Sequence, residues 1–429
     1  MNVSDGFFTV TVERLSPRGD GVALWNGKKY YVPYACPGDE ATLRASDKGN
    51  RAEIVALVSP SSLRKAPECP QFGACGGCGL QHLNTETYLH FKRSLLGDAC
   101  ARLGAEKGAV MPIVSMGYGA RTRARFHVSV VKGAVSIGFY AAKSADVTAA
   151  TECLVCVPSI TRSLSLWKEL CENLKNPGRL SSIGLASFDE GMDATMSLKK
   201  PLHPSDKEKL LAFSAQHLCR LSLCEKEGEA PTPIYVGEHS PTARCGSVRV
   251  RVPPGGFSQA TEEGRLFLAG FAASRLANCE RVVDLYSGYG NYAFALAERV
   301  GTVAAYEGDA AAVACAHDAA RRFLSSGKMS VHCRDLYVDP LREDELRHVD
   351  GACVNPPRNG AEPQTRRLAG SGVGRVVMIS CDLISFERDA RILIEAGYRL
   401  LEAVPVDQFY QTPHVEIASL FYRQSTAVT

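Results

Sequence analysis

The chain has no apolar run as long as a membrane span, no internal repeat, no coiled-coil heptad pattern and no low-complexity tail. The first absence argues against a helical membrane protein. Its opening, MNVSDGFFTVTVERL, lacks a basic stretch followed by an apolar core and a small-residue cleavage site, so no secretory signal is read and a cytoplasmic protein is expected. Charge of one sign is also lacking: 49 Lys+Arg face 46 Asp+Glu, for a formal net charge of +3. That balance permits a nucleic-acid partner without requiring one, so the case for RNA must rest on local clusters. Hydrophobic content of 45% and charged content of 22% fit a folded, soluble protein. At 429 residues the chain is too long for a single core, and two or three domains are expected.

What is present in quantity is cysteine, 16 in all. Without an export signal these are not expected to pair as disulfides. They should divide among packing, metal ligation and catalysis. Cys315, Cys333 and Cys353 lie in apolar patterns and read as packing.

Along residues 7–57, alternating runs separated by turn residues (FFTVTVERL, GVALW, KKYYVP, ATLRAS, RAEIVALVS) predict short strands of a small β-barrel. Asn26-Gly27 between two of them is a hairpin signal. Residues 60–84 are rich in Pro, Gly and Cys and read as a loop held by something other than a core. Residues 85–103 carry Tyr88, Phe91, Leu95, Leu96 and Leu103 at helical spacing. Residues 115–250 look mostly β, with a helix near 159–175. In RTRARFHVSV, Arg121, Arg123 and Arg125 fall on one side of an extended strand, and no acid lies between Arg121 and Lys132. That row is a candidate phosphate-contacting surface. From residue 280, strands and helices alternate, which predicts a parallel sheet with right-handed crossovers.

The first strand of that region runs into DLYSGYGN (Asp284–Asn291) and then a helix. Gly288-x-Gly290 lacks the third glycine of the dinucleotide fingerprint. Glycines at such a turn let a ligand approach the backbone, beside a helix N-terminus that favours an anionic group such as a carboxylate. The next strand ends on Glu307, placed to take a ribose diol, and Asp335 follows the third strand, placed to meet a base edge. Acid, glycine loop, acid, acid at successive strand ends is the layout of S-adenosylmethionine (SAM) methyltransferases. Three further segments fall at strand ends: VNPPRNGA (354–361), SCDLISFERD (380–389) and QTPHVE (411–416). A thiol at the carboxyl end of an α/β strand, as at Cys381, sits where such folds do chemistry.

Cys69-x5-Cys75-x2-Cys78 is a tight, glycine-rich cysteine cluster. A CxxC pair alone would suit zinc; four thiolates would suit an iron–sulfur cluster. The fourth would come from Cys153 or Cys156 in TECLVCVP.

With the glycine loop, these segments resemble the RNA uracil-5-methyltransferase family over nearly the whole chain, most closely the 23S ribosomal RNA branch. The resemblance implies a multidomain fold. Residues 1–60 would be an OB-like, RNA-binding TRAM β-barrel. Residues 61–250 would form a mostly β central domain with a [4Fe–4S] cluster. Residues 251–429 would be a Rossmann-like α/β SAM methyltransferase domain, on which a helix within 85–112 packs. It further implies Cys69, Cys75, Cys78 and Cys153 as cluster ligands. Gln259, Tyr286, Gly288, Asn291, Glu307 and Asp335 would hold SAM, Cys381 would be the nucleophile and Glu416 the base. Three positions depart from the family. Asn355 stands where an aspartate usually contacts the uracil edge, Ser287 where cysteine is common, and the proline that commonly follows the nucleophile by two is missing.

The implied reaction needs these residue types. C5 of uracil is a poor nucleophile; a thiolate adding to C6 makes it enolate-like, and a base must later take the C5 proton. The target base must be flipped out of any helix. The expected partner is RNA, ribosomal rather than transfer RNA, acted on by a monomer away from membranes. The competing readings are a transfer-RNA enzyme, a methyltransferase for another base such as cytosine, and a non-catalytic RNA-binding or assembly factor on the same fold. Asn355 is the residue that would discriminate.

Overall fold

Asn26 and Gly27 both take positive φ, 49° and 74°. This is the two-residue turn whose twist matches paired strands, and it joins Gly21–Trp25 to Lys28–Val32. The computed structural model describes residues 7–46, 49–217, 219–226, 229–236 and 240–423. In it the hairpin belongs to a five-stranded antiparallel sheet ordered Lys28–Val32, Gly21–Trp25, Phe7–Leu15, Glu40–Ala45, Ala52–Ser59. The chain entering the last strand returns to the first edge: Arg51 bridges Tyr31, and the Tyr31 N–H donates to the Asn50 carbonyl at 2.8 Å. Phe8, Val12, Val32 and Leu43 fill the interior.

A second sheet of seven strands carries Arg123–Val131 between Ala134–Tyr140 and Leu180–Phe188. Alternation works as expected: Ala124, Phe126 and Val128 enter a core shared with Trp167 of the helix Pro158–Glu172. One helix in this region, Pro204–Gln216, escapes the sequence pattern. Its signals are local: His203 caps it, Pro204 occupies the first turn and Asp206 follows. It links the parallel strands Gly191–Leu198 and Cys219–Cys224, whose direction requires a crossover.

The third sheet has eight strands, ordered Met329–Cys333, Thr302–Glu307, Arg281–Leu285, Gly351–Val354, Arg375–Ser380, Glu416–Tyr422, Arg399–Asp407, Val114–Ser115. The first five are mutually parallel. The expected parallel sheet is interrupted at Glu416–Tyr422, which runs antiparallel to both neighbours. Only residues 408–415 connect it to Arg399–Asp407, too few for a crossover. Glu416 therefore opens the final strand.

The helix Thr85–Arg102, capped by the Asn84 side chain, lies across this third sheet. It packs on the helix Leu383–Glu395 and the strand Arg399–Asp407, and its Leu96 and Cys100 share a core with Val376, Met378 and Phe421. Among the described residues no helix is long and apolar enough to cross a membrane. Cys353 is buried and Cys315 half-buried, as packing requires, but Cys333 is exposed because its strand forms the sheet's outer edge.

Candidate active site at the carboxyl edge of the eight-stranded sheet

Arg281–Leu285 lies between Thr302–Glu307 and Gly351–Val354, so the strands that follow it go to opposite sides. Open α/β sheets bind ligands at the carboxyl ends of strands beside such a switch point. The glycine loop emerges there. Tyr286 holds a left-handed φ of 61°, a strained conformation for a large side chain. Gly288 (φ 57°) faces open space, whereas a Cβ on Gly290 (φ 98°) would lie 2.7 Å from Phe294. Glu307 caps the loop: its carboxylate accepts from Gly288 N–H and Asp309 N–H, each at 2.8 Å. Asp335 is exposed and accepts from Tyr337 N–H at 2.9 Å.

Beneath the loop, Asp284 is fully buried and neither carboxylate oxygen has a hydrogen-bond partner. Burial pushes its carboxyl up to about 8. A buried, unpartnered carboxylate at this turn suits a cationic ligand group. Asn291 is partly engaged: its carboxamide oxygen accepts from Arg265 at 2.8 Å, while its nitrogen is buried without a partner.

On the other side of the switch point, Cys381 is the first residue beyond Arg375–Ser380. Asp382 then caps the helix Leu383–Glu395, accepting from Ile384 and Ser385 N–H at 3.0 Å. Ser380 pairs with Ile417 in the antiparallel register, which sets Cys381 beside Glu416. Glu416 is buried, and burial raises its carboxyl to about 8 against the pull of Arg358. The Cys381 thiol is pushed up to about 11, first by burial and then by the Glu416 charge, with Arg358 again opposing. Arg358 is exposed, three residues past Asn355 in the Pro-Pro turn, and the sequence reading missed it. Its charge acts on both Cys381 and Glu416. Asn355 is half-buried and tied to the first strand by its N–H to Leu285 carbonyl, 3.2 Å.

Gln259 is buried between two partners. It donates to the Tyr292 hydroxyl at 3.0 Å and accepts from Gln408 at 2.9 Å. It thus joins the loop that leads to Glu416. The Tyr292 phenol is pushed well up, by burial first and then by the Glu416 charge. The arginine row lies nearby. Arg121 stands over the Phe409 ring at 5.9 Å and Arg123 over Phe257 at 5.6 Å; Arg125 is exposed. Phe257 is 66% exposed, an unusual state for a large aromatic, and the sequence reading passed over it.

Cys69, Cys75, Cys78 and Cys153 are all partly exposed. Among the described residues no group of three His, Cys, Asp or Glu side chains is arranged to hold a metal ion, so the expected metal site is not found ready-made. The four thiols are nevertheless close enough to act on one another. Burial raises the Cys78 thiol to about 11, helped by Cys153, Cys75 and Cys69, and the Gly77 N–H donates to Cys75 Sγ at 3.4 Å. Cys156 is buried in the central core and donates to Cys153, whose thiol falls to about 6 through that bond.

A sheet with this strand order, a glycine loop at its switch point and a thiol beside a buried carboxylate defines a Rossmann-like methyltransferase-type domain. No protein-family model matches the chain. It is 35% identical over 419 residues to an uncharacterized RNA methyltransferase of Brucella suis, covering 96% of this chain and 97% of that one. It is 31% identical over 429 residues to the 23S rRNA (uracil(1939)-C(5))-methyltransferase RlmD of Shewanella baltica, covering 96% and 95%. The chain belongs to the RNA methyltransferase family that includes the uracil-C5 enzymes. Its fold matches the Pyrococcus abyssi tRNA (uracil-54, C5)-methyltransferase solved with S-adenosyl-L-homocysteine, with a TM-score of 0.74, 22% identity and coverage of 96% and 100%.

Proposed function

We propose that this enzyme methylates C5 of a uridine in RNA, with SAM as methyl donor, through a covalent bond between Cys381 Sγ and uracil C6. The observation that carries the reading is the antiparallel register that sets Cys381 beside the buried Glu416 at the switch-point edge. The unpartnered Asp284 carboxylate and the open face of Gly288 support a cationic cofactor there. Tyr286, Gly288, Asn291, Glu307, Asp335 and Gln259 would complete its site. SAM supplies an electrophilic methyl group.

The chain's own residues do the rest. Cys381, once ionised with its proton lost to solvent, bonds through Sγ to C6, and the electron pair of the C5=C6 bond shifts toward C5 and O4. C5 then takes the methyl group, the electron pair of the broken S–CH3 bond staying on the departing thioether. Glu416, as carboxylate, accepts the C5 proton; the C5=C6 bond re-forms as the C6–S bond breaks and the thiolate leaves. Arg358 favours the ionised form of both groups. Asn355 accepts from uracil N3–H through its carbonyl oxygen. Arg121, Arg123 and Arg125 meet phosphates, and the N-terminal sheet acts as a TRAM-type RNA-binding barrel.

Cys69, Cys75, Cys78 and Cys153 would hold a [4Fe–4S] cluster. The Cys-x5-Cys-x2-Cys spacing on a glycine-rich loop and the nearness of Cys153 to it support that donor set. Ribosomal RNA is favoured over transfer RNA because the 31%-identical relative acts on 23S rRNA. Mapping 5-methyluridine in ribosomal and transfer RNA from cells lacking the protein tests the function. One ribosomal site should lose its methyl group; unchanged 5-methyluridine in both RNAs would refute the reading.

A further inference from the structure

The loop 408–415, which delivers Glu416, is fastened from outside the catalytic sheet. Lys92 lies on the helix Thr85–Arg102, more than three hundred positions earlier in the chain, and is fully buried. Its Nζ pairs with the equally buried Asp407 at 2.7 Å, at the end of the strand where the loop begins. The same Nζ donates to the carbonyls of Phe409 at 3.4 Å, Thr412 at 3.0 Å and His414. Tyr88, one turn earlier, donates to Asp407 at 2.6 Å and accepts from Gln411 N–H at 2.9 Å. Gln411 has a left-handed φ of 64°, so this loop holds a conformation that its own residues do not favour. An ammonium with four oxygens around it is costly to bury unless geometry demands it. Hydrophobic side chains would cover the sheet as well.

We propose that Lys92 is a positioning residue: with Tyr88 and Asp407 it fixes the loop so that Glu416 meets the C5 proton of the methylated intermediate. The inference rests on the reading of Glu416 as base. It predicts a selective defect. Addition of Cys381 to C6 does not use this loop, and methyl transfer meets it only through the Gln408–Gln259 hydrogen bond, which Lys92 and Tyr88 do not touch, so both steps proceed. Proton removal from C5 and expulsion of the thiolate slow down, and covalent protein–RNA adduct accumulates on ordinary uridine.

The test uses the full-length protein, SAM and ribosomal RNA from cells lacking the enzyme. The double variant Lys92→Met/Asp407→Asn removes both buried charges together, so neither is stranded. Adduct on ordinary uridine, read on a denaturing gel, should rise roughly tenfold or more relative to product release. Tyr88→Phe loses two hydrogen bonds and no charge, and should show the same defect at smaller size even if the double variant does not fold. Leu96→Val, on the same helix but facing the sheet core, should lower thermal stability without adduct. Adduct and product falling in proportion in Tyr88→Phe, or equal accumulation in Leu96→Val, would overturn the proposal. Failure of the wild type to form any adduct with 5-fluorouridine RNA would instead refute Glu416 and Cys381 as the catalytic pair.

Discussion

The carboxyl edge of the eight-stranded sheet and the cysteine loop of residues 60–84 both gather reactive side chains, by opposite means. At the sheet edge each residue is placed by a strand. Asp284, Glu307, Asn355, Cys381 and Glu416 lie at or just past strand ends whose register is fixed by ladders and by cores on both faces. The cysteine loop has no strand or helix. Its C-terminal end is held by a small core after all, Leu80 and Leu83 being buried with Tyr88 and Phe91, and Arg64 pairs with the buried Asp39. The stretch that carries the cysteines is tied by backbone bonds to distant segments: Gly76 N–H to Tyr140 carbonyl at 2.9 Å, Ala142 N–H to Ala74 carbonyl at 3.0 Å, Gly79 N–H to Gln411 carbonyl at 2.8 Å. A register tolerates substitution of one member; a stretch with few ties depends more on whatever joins its side chains.

The sharpest break of this contrast is Glu416→Gln. It should leave the fold intact and cut turnover by about a hundredfold or more, the usual scale of a lost general base. It should also change stability with a definite sign. Folded Glu416 holds its proton up to about pH 8, while the unfolded side chain loses it near its ordinary value of 4.5. Between those limits the unfolded state binds fewer protons, so wild-type stability falls as pH rises. The melting temperature of Glu416→Gln should therefore exceed that of the wild type at pH 8, and the gap should close toward pH 5. A gap that widens toward acid would contradict the assignment.

Cys78→Ser tests the other region. It should increase proteolytic cleavage within residues 60–84 while the melting of the catalytic sheet changes little, and under the proposed cluster assignment the purified protein should lose iron and sulfide together. Equal cleavage of wild type and variant would mean that the loop is held by its backbone bonds alone.

The smallest effect is expected from Arg358→Ala, because Arg358 is exposed and acts only through its charge. Without it, Cys381 and Glu416 both ionise at higher pH. The alkaline shift of kcat/KM should cost about tenfold at pH 7 and be partly recovered at pH 9. A uniform loss at all pH values would assign Arg358 to RNA binding instead.

The same contrast explains what could be read from the sequence. The strand ends were legible because an apolar run that stops on Glu307 or Cys381 marks its own edge, and period-2 alternation put the three arginines on one face. The helix at 85–102 was legible from Tyr88, Phe91, Leu95 and Leu96. The helix Pro204–Gln216 was not, since only Asp206, Leu210 and Ser214 are buried on it and its apolar spacing is weak. The antiparallel direction of the final strand was not legible, because direction depends on the short loop 408–415. Lys92 was invisible for a physical reason: a charged residue beside Phe91 reads as solvated, and its carbonyl partners lie at the far end of the chain.

The central claim is that Cys381 attacks uracil C6 at the switch-point edge. The most direct measurement is to incubate the protein with SAM and 5-fluorouridine-containing ribosomal RNA, then map the cross-linked peptide by mass spectrometry. Fluorine at C5 blocks proton removal, so the account predicts a stable adduct on Cys381 that is absent in Cys381→Ser. A cross-link at another residue, or none with the wild type, would contradict it.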